Sequence, residues 1–221
     1  MIDQLIIGGI GSLDDFGASV KERRIYAPVK KKIKETVPYS NVTYDFSKIN
    51  GELYWEERSL EYVLEMLATS AEELEEKMQP LRAWLMNVHE AELHDPFIQN
   101  YHFVATYDDM DVDDSEIEKA TVTVTFTAYP YMIANVKRIC IYNLVAGEDQ
   151  TVKIINRSSH RIVPTFKSDA DFTVLMGNTS YGIPAGETTD ASFMLEPDAN
   201  TLTLRCAKSV DVYISFVEEV F

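Results

Sequence analysis

The stretch "KATVTVTFTAYPYMIAN", residues 119–135, decides the fold because a regular strand stops there near the middle of the chain. Threonine alternates with apolar residues, which is typical of a strand with one buried and one open face. The alternation predicts that Val122, Val124 and Phe126 are buried. The β-branched threonines on the other face favour an extended backbone.

The strand ends at Tyr129, Pro130 and Tyr131. Proline has no amide hydrogen to donate to a sheet, so the hydrogen-bond ladder is predicted to stop at Pro130. Beyond it, short β-rich runs alternate with turn residues, which indicates a small β-sandwich. The runs are RICIYNLV, QTVKIINRS, IVPTFKS, DFTVLMG, TSYGIPAG, ASFMLEP, NTLTLRCA and VDVYISFVEE. We therefore divide the chain into domains 1–133 and 134–221, with Tyr129 and Tyr131 packing at the seam.

An earlier strand and a helix are predicted to complete the first core. In "WEERSLEYVLEML", residues 55–67, alternation again predicts a half-buried strand. The helix is predicted to begin after Ser70, which forms a capping box with Glu73. Its apolar stripe consists of Leu74, Met78, Leu81 and Leu85. Pro80 interrupts the helical hydrogen bonds, so we predict a bend in one continuous helix.

Two charged segments attract attention. Residues 28–52 are predicted to form an extended arm or hairpin that carries a cluster of four lysines. The segment "DDMDVDDSEIE", residues 108–118, is predicted to be an acidic loop between two strands. Its aspartates begin with the spacing of a calcium-binding EF-hand loop, but Asp114 replaces the required glycine and Ala120 the required glutamate. We therefore favour a solvated turn over a metal site.

The composition disfavours several classes of function. The 221 residues include 20 basic and 36 acidic side chains, a formal net charge of -16 that disfavours binding to nucleic acid. No apolar run is long enough for a membrane helix, and no secretion signal is visible, so we expect no membrane anchor. Cys140 and Cys206 are interpreted as small buried thiols, with a cross-strand disulfide as the alternative.

The sequence separation of the candidate catalytic and metal-binding residues does not suit the sites that they suggest. His89 and His94 are five residues apart and cannot share a helical face for zinc. The adjacent Glu56 and Glu57 would point to opposite faces of a strand, so they cannot flank one glycosidic bond. No nucleophile elbow, phosphate loop or dinucleotide motif is present. We expect a protein that is not an enzyme and uses no cofactor or metal.

The order of these parts resembles the distal tail protein (Dit) family of long-tailed siphophages. In the first half the resemblance rests on IGGIGSLDDFGASVKER, WEERSLEYVLEML, SAEELEEKMQPLRAWL and VTFTAYPY. In the second half, VKIINRSSHRIVPTF resembles the opening strands of that family's second domain. The segment FMLEPDANTLTLRCAKSVDVYISFVEEVF resembles its closing L-x-P-G-x-N turn and final strands, with Asp198 in place of the turn glycine. No inserted carbohydrate-binding module is recognisable, which argues against direct receptor binding.

The resemblance implies a mainly β (α+β) fold. Its N-terminal domain is implied to be a split β-barrel or sandwich with one α-helix, and its C-terminal domain a galectin-like β-sandwich. The implied role is that of a structural virion protein of a phage or prophage, assembled in the bacterial cytoplasm into a hexameric ring at the distal end of the tail. The implied partners are the tail tube protein, the tape-measure protein, and a tail fibre, tail-associated lysin or receptor-binding protein. DNA would pass through the ring without specific binding.

One hypothesis concerns contacts within the ring. The lysine cluster of one subunit is predicted to meet the acidic segment of the adjacent subunit and to help fix the register of the ring. The alternative is two solvated patches that never meet. The residues concerned are Lys30, Lys31, Lys32, Lys34, Asp108, Asp109, Asp111, Asp113 and Asp114.

A second function from another class stays open. The C-terminal sandwich could be a carbohydrate-binding or adhesion module for host cell-wall glycans, a role that usually needs exposed aromatic rings. The candidates are Tyr142, Tyr181 and Tyr213. Tyr213 alternates with buried-type residues and is interpreted as an ordinary strand residue.

Overall fold

The computed structural model describes residues 4–36, 38–39, 41–48, 53–116 and 118–221, and for Asp114 and Ser115 it describes the backbone alone. The chain divides into two compact units, which are residues 1–132 with Phe221 and residues 133–220. Strands dominate both units, so the predicted mainly β fold class is confirmed.

The first unit contains nine strands and two helices in its described part. The strands are β1 (Ile6–Ile7), β2 (Ile10–Gly11), β3 (Ala18–Ile25), β4 (Lys34–Thr36), β5 (Thr43–Asp45), β6 (Arg58–Leu67), β7 (Ala91–His94), β8 (Tyr101–Glu116) and β9 (Lys119–Ala128). The helices are α1 (Ser12–Phe16) and α2 (Ala71–Met86). Seven strands form a sheet in the order β2-β1-β7-β8-β9-β6-β3, and β4 pairs with β5 separately.

Strands β6 and β9 pair antiparallel at the centre of the sheet and confirm both alternating patterns. Leu60 lies opposite Phe126, and Tyr62 lies opposite Val124. These side chains are buried together with the apolar stripe of α2, in one core. Burial of each such side chain contributes roughly 1.5–3 kcal/mol, so this shared core is the main source of stability of the unit.

Helix α2 begins and ends close to the predicted positions. The Ser70 hydroxyl accepts a hydrogen bond from the Glu73 amide at 3.2 Å, as a capping residue should. The Glu73 carboxylate differs from the expectation, because it accepts from the amide of Thr69 and not from that of Ser70. Pro80 lies inside the helix, which continues to Met86 as one element.

The short helix α1 was not predicted. It has five residues and is capped directly after its end by Gly17, whose φ of +72° lies in the left-handed region that favours glycine. The ring of Phe16 stacks on that of Trp84 with centroids 4.9 Å apart, so α1 packs against α2. A helix this short has no periodicity from which it could be recognised in the sequence.

Part of the predicted arm is a hairpin. We call residues 28–48 the arm. Strand β4 pairs with β5, with Lys34 opposite Asp45 and Thr36 opposite Thr43. Residues 37, 40 and 49–52 of the predicted arm lie outside the described residues.

The predicted acidic loop is wrong. Residues 108–116 belong to β8, a 16-residue strand that pairs with β9 along most of its length. The reason is visible in the alternation, since Met110 and Val112 pack against the core while the aspartates between them face outward. Register shifts between Tyr107 and Asp109, and again near Glu116, show that the strand is irregular there.

The second unit consists of two four-stranded sheets in the orders β11-β18-β13-β16 and β12-β17-β14-β15. Its strands are β11 (Arg138–Leu144), β12 (Asp149–Asn156), β13 (Thr165–Ser168), β14 (Phe172–Met176), β15 (Thr179–Ile183), β16 (Gly186–Thr189), β17 (Asp198–Cys206) and β18 (Val210–Phe216). Strands β10 (Met132–Ala134) and β19 (Glu219–Val220) pair with each other. The inward-facing residues of the two sheets share one core, as in a sandwich.

One predicted run of this unit is wrong as a strand. Within residues 191–197, only Ala191 and Ser192 form a turn, and Leu195 makes a single isolated bridge to Ile162. Phe193 and Leu195 are nevertheless fully buried, because they fill the core from a loop. The segment resembles a strand in sequence because its residues alternate between buried and exposed, although it forms no strand hydrogen-bond ladder.

The turn that follows explains the L-x-P-D-x-N pattern. Asp198 has a φ of +70°, a conformation that glycine adopts without strain and aspartate tolerates. The Asn200 side chain accepts a hydrogen bond from the Glu196 amide at 2.9 Å and donates one to the Glu196 carbonyl at 2.8 Å.

Both cysteines are free thiols, Cys206 buried and Cys140 half-buried, so the disulfide alternative is wrong.

Candidate assembly surfaces

The lysine cluster lies on the surface of the arm. All four of its side chains are exposed: Lys30, Lys31, Lys32 and Lys34. The Lys34 Nζ atom lies 4.0 Å from Asp45 Oδ2, and the Lys30 Nζ atom lies 5.6 Å from the centre of the Trp55 ring. Hydrogen bonds from Ser47, with a smaller contribution from the lysines, lower the pKa of Asp45. The arm holds five lysines against Glu35 and Asp45, a net charge of +3.

The other face of the arm is apolar. Ile33 is 43% exposed, Tyr44 53% and Phe46 39%. The Phe46 amide donates to the Ile33 carbonyl at 2.8 Å, and the rings of Tyr44 and Phe46 stack with centroids 6.3 Å apart. A two-stranded hairpin is marginally stable by itself, and this one leaves its apolar face to solvent. Such a face is suited to contact with a partner.

The aspartates form an open row along β8, which we call the carboxylate strand (residues 108–113). Asp109, Asp111 and Asp113 lie opposite Thr125, Thr123 and Thr121 of β9. All three carboxylates are exposed, as is that of Asp108, and the Asp114 side chain lies outside the described residues. Their cross-strand neighbours are uncharged, so the row carries concentrated negative charge.

Other carboxylates on this sheet are neutralised locally. Glu65 Oε2 lies 2.9 Å from Lys119 Nζ and 3.4 Å from Lys21 Nζ. Those contacts, with that of Lys119 the larger, hold the pKa of Glu65 below its ordinary value. Within the described part of the chain, Asp109 and Asp111 have no salt-bridge partner. The negative charge of this face therefore concentrates on the carboxylate strand.

Within one chain, each charged surface is engaged with its own surroundings. The ion pair of Lys34 is with Asp45 of the arm itself, and the carboxylate strand pairs with β9. The predicted meeting of lysines and aspartates concerns two copies of the chain, and it stays a prediction.

The Tyr-Pro-Tyr sequence directly follows β9. Tyr131 is buried and Tyr129 is exposed, with ring centroids 5.6 Å apart. Arg58 Nη1 donates to the Pro130 carbonyl at 3.3 Å, so a buried side chain fixes this turn. The role of Tyr129, Pro130 and Tyr131 as the seam between domains stays a prediction.

Arg58 is a structural residue that the sequence analysis missed. Its side chain is buried, its Nε donates to the Tyr26 carbonyl at 2.9 Å, and its guanidinium lies 5.3 Å from the centre of the Phe103 ring. Burial lowers the pKa of Arg58. The signal was available, since Arg58 begins the alternation that buries Leu60 and Tyr62.

A second buried charge, Asp95, organises the neighbouring strands. It accepts hydrogen bonds from Arg23 Nη1 at 2.9 Å, from the Tyr62 hydroxyl at 3.3 Å and from the Phe97 amide at 2.9 Å. Burial, and then the charge of Asp95, raise the pKa of Tyr62. The carboxylate is satisfied by these three donors, so the network is structural.

The three tyrosines proposed for sugar stacking do not share a surface. Tyr213 is 36% exposed and faces outward from β18 between the buried Val212 and Ile214. Tyr142 and Tyr181 pack against the core of the sandwich, and Tyr181 makes an edge contact with Phe193 at 4.9 Å. They provide no common stacking platform.

The second unit also has an open groove with a volume of about 760 Å³. Its lining includes Asp171, Thr173, Gly182 and Arg205. Arg205 Nε lies 3.5 Å from Asp149 Oδ1. The groove offers polar groups but none of the three tyrosines.

The histidines considered as zinc ligands lie on different elements of the structure. His89 follows α2, whereas His94 lies on β7 with its ring 5.2 Å from that of His102. Among the residues that the structure describes, no group of three or more His, Cys, Asp or Glu side chains is arranged to hold a metal ion. In that same part of the chain, no helix is long and apolar enough to span a membrane.

The architecture defines a class of mainly β protein in which a helix-backed sheet precedes a two-sheet sandwich. The chain shares this fold with the Dit protein (gp 19.1) of phage SPP1, described as a paradigm of the hub adsorption apparatus in phages that infect Gram-positive bacteria. The TM-score is 0.69 at 14% sequence identity, over 97% of this chain and 98% of the SPP1 protein. The resemblance to distal tail proteins inferred from the sequence is thus confirmed at the level of the fold.

A weaker likeness is to the baseplate of phage P2 in its activated conformation with calcium. There the TM-score is 0.37 at 10% identity, over 97% of this chain and 98% of that one. No family model matches the sequence, and the comparison with curated proteins gives no match.

Proposed function

We propose that the chain is a structural protein of a phage tail tip. Six copies form a ring at the distal end of the tail and join the tail tube to a baseplate, a tail fibre or a tail-associated lysin. The observation that carries this proposal is the fold shared with the SPP1 hub protein over almost the full length of both chains. No enzymatic step is part of this role.

The charge of the chain suits a ring through which DNA passes. Six copies carry 96 formal negative charges, 16 from each copy. Negative charge at the wall of a channel repels phosphates, so DNA slides past without binding. The carboxylate strand and the threonine face of β9 supply such a polar, negatively charged surface.

The two units are proposed to have different roles in the assembly. The first unit, with its arm and its long sheet, closes the ring. The second unit is the platform for fibre, lysin or receptor-binding proteins. Residues 129–131 then serve as the seam between a ring-forming and a docking domain.

Electron microscopy of the purified protein tests the proposal. Six copies of 25.1 kDa have a mass of about 151 kDa, which light scattering measures directly. Negative-stain images are expected to show six-fold rings, and mobility shifts with duplex DNA are expected to show no binding at 0.1 M salt. A stable monomer at all concentrations, or tight DNA binding, contradicts the proposal.

Glycan binding by the second unit is the alternative function. The observation in its favour is the open groove beside Arg205, Asp171 and Thr173, which holds hydrogen-bonding groups suited to hydroxyls. The absence of a shared tyrosine platform counts against it. A glycan array decides between them, because micromolar binding that is lost on Arg205→Ala supports the alternative.

A further inference from the structure

We infer that the apolar face of the arm of one copy inserts into an apolar groove at the opposite edge of the sheet of a second copy. The inference rests on the proposed ring and deepens it by naming the two surfaces that meet. Residues lining the groove include Ile7, Ile10, Trp84, Val88 and Ala91, and we call it the edge groove. Its occupant is a second copy of this chain.

The edge groove offers an apolar surface to a ligand. It lies between helix α2 and the short strands β1 and β2, and its volume is about 410 Å³. A cavity of about 150 Å³ holds a benzene ring, so the groove has room for two aromatic side chains. Asn87 also lines it, but its Nδ2 already donates to the Ala83 carbonyl at 2.6 Å. Ile10 is 41% exposed there.

The arm presents a matching apolar face. The rings of Tyr44 and Phe46 stack, and Ile33 lies beside Phe46, whose amide donates to the Ile33 carbonyl. All three side chains are exposed. A hairpin of three residue pairs is marginally stable by itself. Burial of this face in the groove of a neighbour removes it from water and supplies the packing that the hairpin lacks.

The two surfaces lie at opposite edges of one sheet. The groove is at the β2-β1-β7 end of the strand order, whereas the arm connects β6 to β3, the strand at the other edge. Four strand spacings of about 4.8 Å separate β7 from β3, so these strands are about 19 Å apart. Unlike surfaces on different sides of a subunit make a head-to-tail contact, which is the kind that generates a ring.

The base of the arm is fixed while its apolar face projects. The Tyr26 amide donates to the Ser59 carbonyl at 3.1 Å, and the Lys31 amide donates to the Tyr54 carbonyl at 2.9 Å. From Tyr26 to Ile33 the chain spans at most about 23 Å, at roughly 3.3 Å for each residue. The arm can therefore place its apolar face on a neighbouring copy while its base stays bound to its own.

Long-range charge favours the same pairing. The arm carries a net charge of +3, whereas segments 5–16 and 83–92, which border the groove, contain four carboxylates and no lysine or arginine. The four carboxylates are all exposed: Asp14, Asp15, Glu90 and Glu92. Arg82, next to the second segment, pairs with Glu75. Lys34 pairs within the arm, so the lysines steer the approach of two copies and the apolar face makes the contact.

Substitutions at each surface test the contact. The groove variant Ala83→Arg places a long charged side chain in the groove from an exposed position of α2, and its control is Ala199→Arg at an exposed position of the second unit. The arm variant carries Ile33→Ser, Tyr44→Ser and Phe46→Ser. Its control removes three exposed apolar side chains of the second unit: Val136→Ser, Ile139→Ser and Ile141→Ser.

Each variant is expected to associate at least about ten-fold more weakly than the unaltered chain, because the contact depends on a few buried apolar side chains. Each control is expected to stay within about three-fold of it. Sedimentation velocity measures association, and circular dichroism verifies that every variant is folded.

A disulfide cross-link tests the geometry. Ile10→Cys on one copy and Phe46→Cys on another are expected to form a disulfide under mild oxidation with diamide. A mixture of the two single variants is expected to give a covalent dimer, and the double variant a ladder of up to six copies. The control pair is Phe46→Cys with Ile155→Cys, since Ile155 is 43% exposed. It is expected to give no more product than the unaltered chain with its two native cysteines.

The outcomes separate this contact from the ring itself. If the unaltered chain assembles and either variant assembles equally well, or if the controls lose association equally, the contact is wrong and the ring stands. The same holds if rings form without the cross-link. A cross-link confined to single copies of the double variant assigns the arm to its own groove and contradicts the contact between copies. A ladder that stops at two copies keeps the contact and contradicts the six-membered ring. An unaltered chain that stays monomeric up to millimolar concentration contradicts both.

Discussion

Arg58 donates a hydrogen bond from Nη1 to the carbonyl of Pro130, across 72 positions of the sequence. The same guanidinium holds the Tyr26 carbonyl through Nε. A buried cation thus ties the start of β6 to the end of β3 and to the turn after β9. The strand stops at Pro130 because proline cannot donate, and the turn stays in place because Arg58 binds its carbonyl.

We predict that Arg58→Met lowers the free energy of unfolding by about 2–4 kcal/mol. The methionine fills most of the space but leaves two carbonyl groups without their donor in a buried setting. Urea unfolding followed by circular dichroism measures the loss. Arg24→Met is the matched control, because Arg24 is exposed and its pairs with Glu61 and Glu22 lie at the surface. A loss no larger than that of the control would show that the buried bonds contribute little.

We predict that Ser70→Ala lowers the free energy of unfolding by about 1 kcal/mol. The substitution removes the acceptor for the Glu73 amide in the first turn of α2. Urea unfolding measures the change. Gln79→Ala, at an exposed position within the same helix, serves as the control and is expected to change stability by less than about 0.5 kcal/mol. Equal effects of the two substitutions would contradict the capping role.

We predict a dependence on pH that Glu73→Gln reduces. The contact with Lys77, then that with Thr69, lowers the pKa of Glu73 from 4.5 to about 2. A carboxyl whose pKa is lowered on folding stabilises the fold above its unfolded pKa, and the effect is lost as the pH falls from about 4.5 toward 2. The unaltered chain is therefore expected to exceed the variant in stability at pH 6 and to lose this advantage below pH 4.5. Urea unfolding across this range tests it, and a difference that is constant with pH would refute it.

We predict that Asp198→Gly stabilises the second unit by up to about 1 kcal/mol, because glycine adopts the φ of +70° without strain. The bonds of Asn200 to Glu196 are retained. Asp169→Gly is the control, because it introduces glycine at an exposed position without a positive φ and is expected to destabilise by about 0.5–1 kcal/mol. Differential scanning calorimetry compares the two, and an equal loss in both would contradict the prediction.

Much of the fold could be predicted because its main elements follow a regular period. The alternation in β6 and β9 and the stripe of α2 were correct, since each element buries one face against a common core. The acidic strand was mistaken for a loop, because five aspartates within seven residues resemble a solvated turn. Pairing with β9 and burial of Met110 and Val112 decided otherwise.

The sequence identified the residues of the candidate surfaces but not their arrangement in three dimensions. The lysines and aspartates were named from the sequence, and the structure added that the arm has a distinct apolar face of Ile33, Tyr44 and Phe46. These three side chains are exposed because, within the residues that the structure describes, no other part of the chain packs over them. A local sequence pattern cannot show this, since it depends on the position of distant segments.

The sequence by itself determined the strand that ends at Pro130, the start of α2 at Ser70 and the excess of negative charge. These properties are local, since they follow from the period of apolar residues, from a cap and from composition. Only the tertiary structure decided that Arg58 is a buried anchor and that the aspartates form an open row on a strand. Both depend on contacts between residues far apart in the chain, which bring Pro130 to Arg58 and β9 to β8.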